Sequence, residues 1–153
     1  RQEAHGYALS GNYDACARAL DHAFQHAADA PDDDADIARY CTPGYVEMEA
    51  AHCWVELGKP DKALTTLQQG LAHWHPDFRR DLGLCLARLA VAHAGTGQAD
   101  DALTVARHSL TIAAETRSHR TARQLHRASE LLATAGAHDH AQHLRHTLRT
   151  TLR

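Results

Sequence analysis

Apolar residues recur along this chain at the three- and four-residue steps of an amphipathic helix, and glycines break the pattern at regular intervals. Cys16, Leu20, Ala23 and Ala27 mark one helix over 13–29, with a shorter helix over 1–10 ahead of it. Val46, Ala50, Cys53 and Leu57 mark the next, with Ala51 and Trp54 on an adjoining strip. Leu64, Leu67, Leu71 and Trp74 form the stripe expected to face it. Pro76 is expected to open a helix running to about Ala94. Its apolar positions Leu82, Cys85, Leu86, Leu89, Ala90 and Ala92 make a band wide enough to pack on both sides. Residues 99–115 follow, with Ala102, Leu103, Ala106, Leu110 and Ala113 inward. Ser118 can cap the last pair, in which Leu125, Ala128 and Leu132 face Ala141, Leu144, Leu148 and Leu152.

The turns between these stripes follow one formula. In Leu57-Gly58-Lys59-Pro60-Asp61-Lys62-Ala63-Leu64, Gly58 closes a helix in the left-handed conformation, which a residue without Cβ adopts freely. Pro60 suits the first turn of the next helix, and Ala63 is small enough for the two helices to approach. Gly11, Gly97 and Gly136 begin the same pattern, each with a small residue five positions on: Cys16, Ala102 and Ala141. Gly58, Gly97 and Gly136 are spaced by 39 residues, and Gly11 precedes Gly58 by 47. The excess sits in Pro31-Asp32-Asp33-Asp34-Ala35-Asp36, a poor helix interior and a good exposed loop, after which Thr42 and Pro43 start a new helix. Repetition on this scale signals a solenoid. The expected fold is all-α: about four antiparallel helix pairs over 1–30, 42–75, 76–115 and 118–153, with an acidic loop at 30–41, in one domain spanning 1–153.

Composition adds two things. The 153 residues are 44% hydrophobic but only 5% aromatic, rich in alanine, leucine and arginine, which favours helix. The net charge of −3 hides an asymmetry: 10 acids against 3 bases over 1–49, but 7 arginines against 2 acids over 117–153. Such charge reads either as two solvated faces or as a basic docking surface for an acidic partner or nucleic acid. Cys16, Cys41, Cys53 and Cys85 form no Cys-x-x-Cys pair and read as reduced thiols, three of them in helix cores, which places the protein in the cytoplasm. No apolar run reaches the roughly 20 residues that span a bilayer, and no signal peptide is visible. The first residue, Arg1, already lies in an apparent helix, so the chain reads as part of a longer protein.

The helix pairs resemble tetratricopeptide repeats. The first matches at Tyr7, Gly11, Tyr13, Leu20 and Ala23, with Cys16 where alanine is usual. The second matches at Ala50, Ala51, Trp54, Gly58, Ala63 and Leu67, with Gly70 where alanine is usual and Pro60 for tyrosine. In the third and fourth, His93 and Leu132 take the aromatic position, and Ala99 and His138 the tyrosine position. The resemblance implies a right-handed superhelical α-solenoid whose concave face is lined by the first helix of each pair. Carried over by position, that face comprises His5, Tyr45, Met48, Glu49, His52, Arg88, Arg123, His126, Arg127 and Glu130. It mixes aromatic, sulfur and charged groups as a peptide groove does. The lysine and asparagine clamp that some members use for a terminal carboxylate is absent at the matching positions, though Arg88 and Arg127 could hold an anion. Two stretches, Arg39-Tyr40-Cys41-Thr42-Pro43-Gly44-Tyr45-Val46-Glu47-Met48-Glu49-Ala50 and Phe78-Arg79-Arg80-Asp81-Leu82-Gly83-Leu84, are similar to the carboxy-terminal repeats of bacterial transcription regulators with a Cro- and phage-repressor-type helix-turn-helix. That implies a sensing or dimerising module with a protein or peptide ligand, self-association as a homodimer, and DNA contact only through a domain outside this chain. A general adaptor unrelated to transcription is the alternative.

Candidate chemistry is sparse. His138, His140, His143 and His146 carry Asp139 among them, and imidazoles three apart on a helix can ligate zinc or nickel. No supporting carboxylate pattern accompanies them, nor His22 and His26, so no metal site is expected. The aspartates of 32–36 lack the bend glycine and closing glutamate of a calcium loop. Ser10, Ser109, Ser118 and Ser129 lie in no nucleophile elbow, no cysteine stands beside a recognisable base, and no glycine-rich phosphate loop occurs. The expectation is a protein without catalytic residues or cofactors.

Overall fold

The computed structural model describes residues 2–29, 42–72, 74, 75 and 77–152. The acidic loop at 30–41, Cys41 included, lies outside them, as does Pro76. The described residues form eight helices and no strand: α1 (Gln2–Leu9), α2 (Tyr13–Ala28), α3 (Pro43–Glu56), α4 (Pro60–Ala72), α5 (Arg79–Gly95), α6 (Ala99–Thr116), α7 (His119–Thr134) and α8 (His138–Thr151). The fold is all-α. Where the sequence reads as one run of repeats, the contacts fall into two compact units, Arg1–His73 and Trp74–Arg153, of two helix pairs each.

Within each pair the turn is built the same way. Gly11, Gly58, Gly97 and Gly136 have φ of 72°, 68°, 77° and 83°. Each donates its N–H three residues back, to the carbonyls of Ala8, Val55, Ala94 and Ala133, at 3.1–3.2 Å. The following residue in each case donates five back, to Tyr7, Trp54, His93 and Leu132, at 2.8–2.9 Å. Two carbonyls that a helix end leaves orphaned are thereby satisfied at every turn, and the positive φ is what aims both N–H groups at them. The small residue five positions on (Cys16, Ala63, Ala102, Ala141) is at most 1% exposed in every pair, because it lies where the second helix meets the first. Asn12, Thr42 and Ser118 cap α2, α3 and α7 through side-chain oxygens that accept from Ala15, Tyr45 and Thr121 N–H.

In the first unit α3 is the central helix, in contact with α1, α2 and α4. Val46, Met48, Ala50 and Ala51 of α3 and Leu67 of α4 have no exposed surface. Gly70 lies close against α3: a Cβ there would stand 2.8 Å from Glu47 Oε2 and 3.2 Å from Glu47 Cβ, so the usual alanine would require the Glu47 side chain to shift. Lys62 of α4 ties the turn to α2. Its Nζ lies 3.7 Å from the Trp54 ring centroid and donates to the Tyr13 hydroxyl at 3.0 Å, a cation–π contact with a hydrogen bond on its rim. Trp74, expected on the α4 stripe, is not in that helix; it belongs to the second unit, where its indole N–H reaches the Phe78 carbonyl at 3.4 Å.

In the second unit α5 packs against α6 and α7, and α6 and α7 both pack against α8, while α5 and α8 do not meet. Residues 83–94 of α5 are buried without interruption, as the wide apolar band requires. The helix begins at Arg79, and Pro76, expected to open it, lies outside the described residues. A turn precedes it, in which Phe78 N–H donates to the His75 carbonyl and Asp77 N–H to His75 Nδ1. Gly83 sits at a close crossing: a Cβ would stand 2.8 Å from Ile112 Cγ2, and its carbonyl accepts the buried Ser109 hydroxyl at 2.7 Å. The α6–α7 link departs from the glycine formula, with Arg117 in the left-handed region at φ 50°.

Candidate functional site

The ten positions of the expected concave face divide five and five between the two units. In the first, His5 of α1 and His52 of α3 are half-buried and stack with ring centroids 4.7 Å apart. His52 Nδ1 lies 3.8 Å from Glu56 Oε1. Glu49 is half-buried, but Tyr45 is 8% exposed and Met48 not at all. These two fill the interior, because α3 has helices on either side of it. In the second unit Arg88 is 4% exposed for the same reason, lying within the buried run of α5. Tyr45, Met48 and Arg88 therefore cannot line an open groove. Arg123, His126 and Glu130 of α7 are exposed and Arg127 is half-buried.

The structure instead gathers exposed polar groups between α7 and α8. A cleft of about 920 Å³ has His126 and Glu130 of α7 on one wall and Asp139, Arg145, His146 and Arg149 of α8 on the other. A second cleft, of about 750 Å³, meets it at His126 and Arg149. The second is lined by Arg117, His119, Ala122 and Leu152, and by Ala113 and Leu148, which are at most 2% exposed. Their linings together hold Arg117, Arg145 and Arg149, the carboxylates of Glu130 and Asp139, and the half-buried apolar residues Ala122 and Leu152. Arg145 and Arg149 lie outside the ten expected positions; they belong to a second helix, whereas the family resemblance draws attention to first helices. Their four-residue spacing within an arginine-rich segment is the signal that points to them.

The histidines of α8 do not act together. His140 Nε2 lies 2.9 Å from Asp100 Oδ1, and His143 Nε2 accepts from Arg107 Nη2 at 2.9 Å, so both are engaged with α6. His146 lines the α7–α8 cleft, as His143 also does. Among the described residues no group of three or more histidines, cysteines or carboxylates stands in reach of one ion. Cys16, Cys53 and Cys85 are buried. Burial pushes the Cys16 thiol above its ordinary range, and a hydrogen bond with Cys53 works the other way. No helix among the described residues is long and apolar enough to cross a membrane.

Comparison of the chain with family models, with curated proteins and with solved structures gave no match in any of the three.

Proposed function

We propose that this chain is a non-catalytic binding module, a right-handed solenoid of tetratricopeptide-like helix pairs that serves as the sensing or regulatory part of a cytoplasmic bacterial transcription regulator. The observation that carries the reading is the fourfold recurrence of one turn, with glycine at positive φ, the same two backbone hydrogen bonds and the same buried small residue. A hairpin repeated with such fidelity is a device for stacking surface, not for assembling a reaction centre. Contact order within the units supports layering. In the second, α5 touches α6 and α7 but not α8, as helices added in succession do.

The ligand is a protein or peptide, or a second copy of the chain, and DNA is contacted through a segment outside this one. The binding surface moves from the inherited concave list, three members of which are buried, to exposed side chains of the second unit. A random peptide display library screened on the immobilised chain, followed by calorimetry on the selected peptides, tests the module. Saturable binding to the folded chain is expected, and its absence from every peptide class refutes the reading. The transcription link is tested by the reading frame that encodes the chain, which is expected to specify a helix-turn-helix domain.

A further inference from the structure

We propose that the α7–α8 face binds an acidic peptide segment bearing an adjacent apolar side chain. Its carboxylates sit on Arg145 and Arg149, and its apolar group sits against Ala122 and Leu152. The proposal rests on the reading of the chain as a peptide-binding module and names its ligand.

The two arginines are one helical turn apart, about 6 Å along α8. Carboxylates at i and i+4 of a helical ligand, or at i and i+2 of an extended one at about 6.6–6.8 Å, meet that spacing. Three pairs of charged or imidazole groups in this unit tie helices together: Arg79 to Glu115 at 2.6 Å, His140 to Asp100 and Arg107 to His143 at 2.9 Å. Arg145 and Arg149 make no such tie among the described residues, and both are exposed in the cleft wall. A guanidinium is weakly hydrated and offers a planar fork that fits a carboxylate with two hydrogen bonds, so it gives up water for that partner readily.

The surroundings discriminate between anions. The clefts are lined by histidines, small residues and leucines, with no Trp, Tyr or Phe on which nucleic-acid bases could stack. Glu130 and Asp139 stand in the first cleft and would oppose an unbroken run of phosphates. Spaced carboxylates can avoid them, and the exposed Gln142 amide can serve a peptide backbone. Arg149 lines both clefts, and Ala122 and Leu152 line the second, so a carboxylate on Arg149 and an apolar group on Ala122 and Leu152 are neighbours on the ligand.

Fluorescence anisotropy of a labelled (Glu-Leu-Glu-Ala)3 peptide against the full chain tests this. Binding is expected to be saturable and to weaken as salt is raised past about 0.1 M, where the screening length is about 10 Å. Replacing every glutamate by glutamine, or every leucine by serine, should weaken it. Arg145→Glu with Arg149→Glu should weaken it by at least about tenfold. Arg145→Lys with Arg149→Lys should retain part of the affinity, and circular dichroism should show all variants folded. Equal binding of a thymidine dodecamer overturns the proposal, as does acidic-peptide binding that survives the double reversal. So does salt-sensitive self-association abolished by the same reversal, which assigns the face to a second copy. If library peptides bind while acidic ones do not, this inference fails and the module stands; if no peptide binds, both fail.

Discussion

Replacing Gly97 by alanine isolates what the recurring turn contributes. Its φ of 77° lies in the left-handed region, and a Cβ built there meets nothing within 4 Å. No clash or new packing enters, and the effect is one of backbone conformation alone. An L-residue in that region costs roughly 1–2 kcal/mol. The alanine also restricts the unfolded chain, which offsets about 0.4–1 kcal/mol. The expected net loss is about 1 kcal/mol, read as a lower urea midpoint with unchanged slope, and about 2–4 °C in Tm for a chain of this size. Asparagine at the same position should lose less, because its side chain tolerates this conformation. Gly6 supplies the opposite sign. It lies exposed within α1 with equal open space, so Gly6→Ala should stabilise by about 0.5–1 kcal/mol. Circular dichroism in urea on the three variants decides the matter. Alanine at 97 and at 6 shifting stability the same way, or alanine and asparagine at 97 losing equally, would refute the reasoning.

Four other outcomes follow from named contacts. Leu67→Ala, at a position with no exposed surface between α3 and α4, should cost on the order of 2–5 kcal/mol, and an unchanged melting curve would contradict that packing. Lys62→Ala should cost about 0.5–1 kcal/mol through loss of the Trp54 contact, with a change in tryptophan emission as the second readout. Arg117→Gly should stabilise by roughly 0.5–1 kcal/mol in urea titration, since it relieves the one left-handed non-glycine among the described residues. The raised Cys16 thiol contributes stability that is whole below about pH 8.5. Above that the unfolded chain releases its proton first and stability falls with rising pH, so Cys16→Ala should flatten the alkaline limb of a stability profile.

Helix type, helix order and the glycine turns were legible in the residues because each is decided within a few positions of the chain. Periodicity of three and four selects a helix, and only glycine enters the left-handed closing position without strain, so Gly11, Gly58, Gly97 and Gly136 announce themselves. The start of α5 at Arg79 was not legible, because Phe78 at its N-cap makes no side-chain capping hydrogen bond that would mark it. The candidate surface was legible only in its charge. Tyr45, Met48 and Arg88 occupy the right positions for a groove by analogy, yet whether a face is open depends on what packs against it. For α3 and α5 that is helices on either side.

By itself, then, the sequence determined an all-helical chain of repeated hairpins with a basic carboxy-terminal end, since backbone preference and charge are properties of local segments. The division into two units, the engagement of His140 and His143 with α6, and the meeting of His126 with Arg145 and Arg149 in one cleft were decided only by tertiary structure. The physical reason is that burial and cleft formation depend on pairs of side chains far apart in the chain. Their distance is set by close approaches such as Gly83 against Ile112, which no periodicity encodes.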